Sequence, residues 1–278
     1  MRADLLAAAR AHGGLITRAQ ALQAVPVHVV DKAVQAGALV RVYARVYALP
    51  DVAADADVRR RAALLTVPGA ALSHTDALAV WRALPRGAEA HGPVHLTVAD
   101  DGRQRGRQAG LVVHRRADFR LRDCYEIGTP PLLTVGLPHA LVDTWPLLTV
   151  DDARAAVIDA VRAGRVSAAR IADEVQRRPH TARVADLRRL LQLLSDGCQS
   201  EFEIWGAEHV FDHPSLPRAA AQHRWISAGR SHSSIVRTSR NWSRLSSTAP
   251  STTSPQPSAS ATCAGTSVLP PSAGWWFG

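Results

Sequence analysis

Glycine and proline cut residues 1–50 into three short helical pieces, and the last piece is followed by a stretch with a different period. This spacing constrains the fold more than any other feature of the chain. "RADLLAAARAH" places Leu5, Leu6 and Ala9 on one helical face and stops at Gly13-Gly14. "ITRAQALQAV" starts afresh with Thr17 as its N-cap. Pro26 suits the first turn of a third helix, "PVHVVDKAVQAG", which Gly37 ends. In "LVRVYARVYALP" the period changes to two. Leu39, Arg41, Tyr43 and Arg45 alternate with Val40, Val42, Ala44 and Val46, with a tight bend at Ala44-Arg45. Three helices followed by a two-stranded hairpin is the order of a winged helix-turn-helix.

In such a unit the third helix normally enters the major groove of DNA and the wing contacts phosphate or minor groove. The exposed side of helix 26–36 carries His28, Asp31, Lys32 and Gln35, and Arg41, Tyr43 and Arg45 line the wing. Thr17, Arg18 and Gln20 stand where the start of the second helix can hold phosphates, helped by the helix N-terminus. Asp31 works against this, because it repels phosphate. The net charge of +9 favours a polyanionic partner. That argument is weak alone, since Lys32 is the only lysine among 33 basic residues, as a GC-rich gene produces. A winged helix used for protein contact, with these side chains merely solvated, is the alternative.

The rest reads as a mixed α/β middle domain over 51–196, which makes the whole an α+β protein. "RRRAALLTVPGAALSHTDALAVWRAL" reads as two helices split at Pro68-Gly69, with Ser73 an N-cap and Trp81 a core residue. "PVHLTVA" and "GLVVHRR" read as strands. In the loop between them, Arg103, Arg105 and Arg107 either grip phosphate or sit on a solvated hairpin tip. "LPHALVDTWPLL", with Trp145 in the core, "VDDARAAVIDAVRAG" and "TARVADLRRLLQLLSDG" are helical, and "QSEFEIWGAEHVF" starts another helix.

His91 with His95, and His209 with His213, have H-x-x-x-H spacing. Gly92-Pro93 interrupts the first pair and Pro214 follows the second, so no metal is expected, and no cofactor. Cys124, Cys198 and Cys263 are too far apart for a metal knuckle or a disulfide framework. No apolar run approaches a membrane span, and the first residues lack the apolar core of a secretory signal. A cytoplasmic location away from any membrane is therefore expected.

The motifs from Leu39 to Pro50, "ALSHTDALAVW" (71–81), "VHLTVADDGRQRGRQAGLVVHRR" (94–116) and "LVDTW" (141–145) resemble, in this order, the AbiEi-type antitoxin family. The wing of that family usually carries a glycine where Arg45 stands. "CQSEFEIWGAEHVFDHPSLP" (198–217) resembles the start of a restriction-endonuclease-like domain related to very-short-patch repair nucleases. The resemblance implies domains at 1–50, 51–196 and 197–224. It also implies DNA as a partner, a cognate toxin as a second partner, and repression of a toxin–antitoxin operon. The alternative it carries is a metal-dependent DNA endonuclease. That chemistry needs clustered carboxylates around magnesium. Glu203 matches one such position, and the others belong downstream.

Downstream there are none. Ile226 to Gly278 contains no Asp, Glu or Lys and 20 Ser or Thr, so a disordered tail is expected from 225 onward. The genetic code offers a cause. Read one base out of frame, Trp225-Ile226 must give Asp, Asn241-Trp242 must give Leu, and Trp275-Trp276 and Trp276-Phe277 must each give Val. With GC-biased codons, residues 240–250 and 257–266 can give strand-like and basic, acid-bearing strings of the endonuclease-like type. The tail is therefore expected to be an out-of-frame remnant, and the chain not to be an enzyme.

Overall fold

The computed structural model describes residues 2–85, 92–100, 108–198, 200–209, 219–220, 223–227, 230–234 and 237–238. Helix α1 (Arg2–Ala11) ends at Gly13 and Gly14, whose φ angles of 66° and 81° lie in the left-handed region. Gly14 also has no room for a side chain: a Cβ there would lie 2.5 Å from Cγ2 of Val52. The chain then forms β1 (Leu15–Thr17), α2 (Arg18–Ala24), α3 (Val27–Gln35), β2 (Val40–Tyr43) and β3 (Val46–Ala48). The strands make an antiparallel sheet in the order β1-β3-β2. The N-terminal unit is thus a winged helix-turn-helix, with one strand more than the sequence predicts. "LIT" is too short to show a period of its own.

The start of α2 forms as expected. Gln20 N–H donates to Thr17 Oγ1 at 3.2 Å, and the Gln20 side-chain oxygen accepts from Thr17 N–H at 2.9 Å. This capping box satisfies donors that the first turn would otherwise leave open. Leu5, Ala9, Ile16, Ala21, Val30, Ala33 and Leu39 form the core between the three helices and one side of the sheet.

The middle region begins with α4 (Ala56–Thr66), capped by Asp55, whose carboxylate accepts from Val58 N–H at 2.9 Å. There follow β4 (Ala71–Leu72), α5 (His74–Val80), β5 (Val94–Ala99), β6 (Leu111–Arg116), β7 (Tyr125–Ile127) and β8 (Leu132–Thr134). One five-stranded sheet has the order β6-β5-β4-β8-β7. Its central strand β4 lies in what the sequence presents as a break between two helices. β5 and β6 are parallel, in register from Val94 opposite Leu111 to Ala99 opposite Arg116. The two strands therefore do not form a hairpin. Arg103, Arg105 and Arg107 lie outside the described residues.

Helices α6 (Leu137–Thr144), α7 (Val150–Arg162), α8 (Ala168–Gln176), α9 (Val184–Ser195) and α10 (Glu201–His209) complete the described helical layer. Leu78, Leu141, Trp145, Val157, Ile171, Leu187 and Leu190 share its core. The indole N–H of Trp145 donates to the Arg183 carbonyl at 3.0 Å, and that of Trp81 to the Val135 carbonyl at 2.9 Å. α10 joins this layer through Ile204, which is fully buried, and through the Glu201 carboxylate, which accepts from Arg154 at 2.9 and 3.0 Å. Phe202 and Trp205 remain exposed, while Val210 and Phe211 lie outside the described residues.

Beyond α10 the described backbone consists of two antiparallel pairs, Ala219–Ala220 with Arg237–Thr238 and His223–Ser227 with Arg230–Ser234. Each pair includes residues of the stretch expected to be disordered from 225. Residues 228–229, 235–236 and 239–278 of that stretch lie outside the described residues.

Residue 50 does not mark a gap in packing. Leu15, Tyr43 and Val46 from the winged-helix sheet share a core with Val58, Ala62, Leu72 and Leu96. Arg61 of α4 donates to the carbonyls of His12 and Gly13, at 2.9 and 3.4 Å. The inner side of the wing is thus fixed against α4, and its outer side and tip are left to solvent.

Candidate nucleic-acid interface

Helix α3 buries Val30 and Ala33 against the other helices. The 3.6-residue period then places His28, Asp31, Lys32 and Gln35 outside, and all four are exposed. Arg41 and Arg45 are exposed on the hairpin. These are the positions that the alternation and the helical period indicate. Lys32, Arg41 and Arg45 have no ion pair among the described residues.

Tyr43 is the correction. It does not line the outside of the wing; it is buried, packed among Leu15, Val46, Val58 and their neighbours. The register between β2 and β3 shifts between Arg41 and Tyr43. Such an irregularity resets the alternation, so two residues that simple period-two counting puts on one face go to opposite sides. Burial pushes the Tyr43 phenol above its ordinary pKa, and Arg59 nearby works the other way.

The start of α2 is less available than the sequence suggests. Besides its capping bonds, Thr17 Oγ1 donates to Gln20 Oε1 at 2.8 Å, so Thr17 and Gln20 are engaged with each other. Arg18 donates to Asp31 at 3.1 Å and to the Tyr47 hydroxyl at 3.1 Å. Its backbone N–H donates to the Arg45 carbonyl at 2.7 Å. The acid on α3 that would repel phosphate is therefore partly neutralised by the arginine on α2, and neither is free.

Arg45 has φ 62°. For a residue with a side chain this conformation costs roughly 1–2 kcal/mol. It turns the hairpin at the place where glycine would be the unstrained choice. The reward is a cation at the tip of the wing.

A second concentration of charge lies inside the middle region and is not legible from sequence spacing. Arg116 on β6 donates to both oxygens of Asp118, at 3.1 and 2.8 Å, and to Glu174 of α8 at 3.3 Å. Arg178 pairs with Asp143 of α6 and with Glu174, the latter at 2.6 Å. Arg177 and His139 Nε2 reach the same Glu174 at 3.2 Å each. Glu174 is 1% exposed. The network ties β6, α6 and α8 together and is spent on its own members.

Glu203, the residue matched to a nuclease position, is half-buried on α10. No helix among the described residues is long and apolar enough to cross a membrane.

No family model matches the chain, and no curated protein matches it. Among solved structures, the crystal structure of the RV2827C protein from Mycobacterium tuberculosis is similar, with a TM-score of 0.50 and 16% identity. The match covers 80% of this chain and 87% of that one. At that identity the likeness is one of fold.

Proposed function

We propose that the chain is a DNA-binding regulator in which α3 reads a groove and the β2–β3 wing holds the backbone. The observation that carries this reading is the set of exposed cations Lys32, Arg41 and Arg45 on the winged-helix unit. They are unpaired among the described residues, whereas the half-buried Arg18 beside them has an acid partner. Solvated cations cost little to bring against phosphate, and releasing the counterions of DNA supplies the driving force. The resemblance of the Leu39–Pro50 and later motifs to AbiEi-type antitoxins extends the proposal to repression of an operon that also encodes a toxin, with that toxin as a protein partner. It supports a cytoplasmic, non-catalytic role.

The test is a titration of duplex DNA across a salt series. Replacing Arg41 and Arg45 together by alanine should weaken binding on every sequence and lower the salt slope by about 2, at about 0.9 for each phosphate no longer neutralised. An unchanged slope removes the wing from the interface. Magnesium-dependent cleavage of DNA by the purified chain would overturn the non-catalytic reading.

A further inference from the structure

The sequence pairs His95 with His91, four residues away, and the intervening Gly92-Pro93 speaks against both as metal ligands. In the fold, His95 meets two other histidines. His74 opens α5, His95 lies on β5 and His114 on β6. Each offers a ring nitrogen within 4.8 Å of the others. His95 Nδ1 and His114 Nε2 are 3.0 Å apart. The ring centroids of His74 and His114 are 3.7 Å apart, and those of His74 and His95 5.1 Å.

We propose that His74, His95 and His114 form a binding site for one divalent transition-metal cation of the zinc class, with its fourth position open to water. Three imidazoles plus a water make a common zinc environment, with metal–nitrogen distances of about 2.0–2.1 Å. A tetrahedral site of that size holds its nitrogens roughly 3.3 Å apart. The 3.0 Å pair is already near this, and the third ring, stacked on His114, has to turn to bring its nitrogen from within 4.8 Å to that spacing.

The surroundings fix the rings. The Asp76 carboxylate accepts from the backbone N–H of His95 at 2.8 Å and from Arg60 Nε at 3.0 Å, which ties α4, α5 and β5 together. Ser73 does not cap α5 with its side chain; its hydroxyl lies 3.0 Å from His74 Nδ1. A partner on Nδ1 holds the ring in place and leaves Nε2 for the metal. His74 itself has φ 53°, a strained conformation for a residue with a side chain. Such strain is held where the surrounding structure over-determines a position, and these positions cluster at functional sites.

Thr97 is the remaining clue. It is two residues beyond His95 on the same face of β5 and in register with His114. Its hydroxyl is fully buried and has no partner among the described residues. A buried hydroxyl left without a bond is costly, and a metal-bound water beside it would supply one.

Charge at the site is mixed. Burial holds all three imidazoles below their ordinary pKa, so each is in the neutral form that binds metal. Arg116, two residues past His114 on β6, acts against positive charge at His74, and Asp118 and Glu174 offset part of its charge. Asp76 adds a negative charge on the His95 side.

The experiment uses the full chain, stripped with a chelator and titrated with Zn(II), or with Co(II) as a spectroscopic probe. We expect one equivalent bound, the visible absorption of tetrahedral cobalt, and a rise in thermal midpoint that grows with metal concentration. Zinc-edge X-ray absorption should show a shell of three imidazole nitrogens and one oxygen. H114Q and H95N should each weaken binding by about a hundredfold or more, since loss of a group that only orients a ligand already costs about ten- to a hundredfold. H180Q, at an exposed position outside both proposed sites, should leave metal binding unchanged. Absence of zinc and cobalt binding by the wild-type chain overturns the proposal. So does a zinc shell containing sulfur or lacking imidazole, a readout that holds even if H114Q and H95N do not fold. Retention of full affinity by a folded H114Q does the same.

Discussion

The two halves of the described chain handle charge in opposite ways. In the winged-helix unit, Lys32, Arg41 and Arg45 face water without ion-pair partners, and the fold is held by apolar contacts such as Leu5, Ile16 and Leu39. In the middle region, Arg60, Arg116 and Arg178 are drawn inward to Asp76, Asp143 and Glu174, and three histidines are buried or half-buried together. An exposed cation contributes little to stability but remains available to an external anion. A buried one must be matched inside the protein and is then unavailable. This asymmetry is why the N-terminal unit is the place to look for a polyanion, although the middle region also carries many arginines.

The sharpest way to break this contrast is to remove the hub of the buried network. Glu174 receives Arg116, Arg177, Arg178 and His139. E174A leaves two buried guanidiniums under-compensated and should cost about 3–5 kcal/mol of unfolding free energy in urea denaturation. DNA binding by the fraction that stays folded should be unchanged. A loss below about 1 kcal/mol, as at a surface pair, would mean that the network is wet and the contrast is wrong.

A smaller effect comes from pH. Burial lowers His74 to about 2 and His114 to about 4. Both are then neutral when folded but bind protons when unfolded below about 6.5. The unfolded state takes up more protons, so stability is full above about pH 6.5 and falls as pH drops toward about 4. The slope should approach about 1.4 kcal/mol per pH unit for each histidine. The check is a series of urea midpoints on the chelator-treated chain. A flat profile over this range would place the rings in contact with water.

Next in size is the wing tip. R45G should relieve the positive φ and raise stability by about 1 kcal/mol, while lowering DNA affinity and reducing the salt slope by about 0.9, the share of one phosphate. The two readouts move in opposite directions, so the variant separates strain at the turn from function at the interface. If stability falls, the Arg45 side chain has a structural partner that the fold does not show.

What the sequence made legible follows the same division. The N-terminal unit is local: each helix is bounded by its own Gly, Pro or Thr, and exposure follows from short periods, so His28, Lys32, Gln35 and Arg41 could be placed on the exposed side. The errors there came from three-residue features, β1 and the irregular register that turns Tyr43 inward. The middle region is non-local. β4 is only Ala71–Leu72, too short to announce a strand, yet it sits between β5 and β8. With β4 missed, the parallel pairing of β5 and β6 could not be inferred, nor the meeting of His74, His95 and His114 from positions 19 to 40 residues apart. Helical spacing pairs His95 with His91 because it is local, and for the same reason it cannot show the neighbours that the sheet brings to His95.

The smallest expected effect on stability is also the finest test of the interface. Asp31 sits on the exposed face of α3 and binds Arg18. Removing it should leave the urea midpoint almost unchanged, because a solvent-accessible pair in high dielectric is worth little. Its effect on DNA should be larger. D31A takes a negative charge off the face proposed to meet phosphate and frees Arg18, so affinity should rise and the salt slope should steepen by about 0.9, the share of one further phosphate. The opposite result would also be informative. A carboxylate in the major groove can accept from the amino group of cytosine. If D31A weakens binding to one sequence while sparing others, Asp31 reads a base, and Arg18 serves to hold it in place. A uniform gain assigns α3 a phosphate-facing role and leaves sequence reading to His28, Lys32 and Gln35.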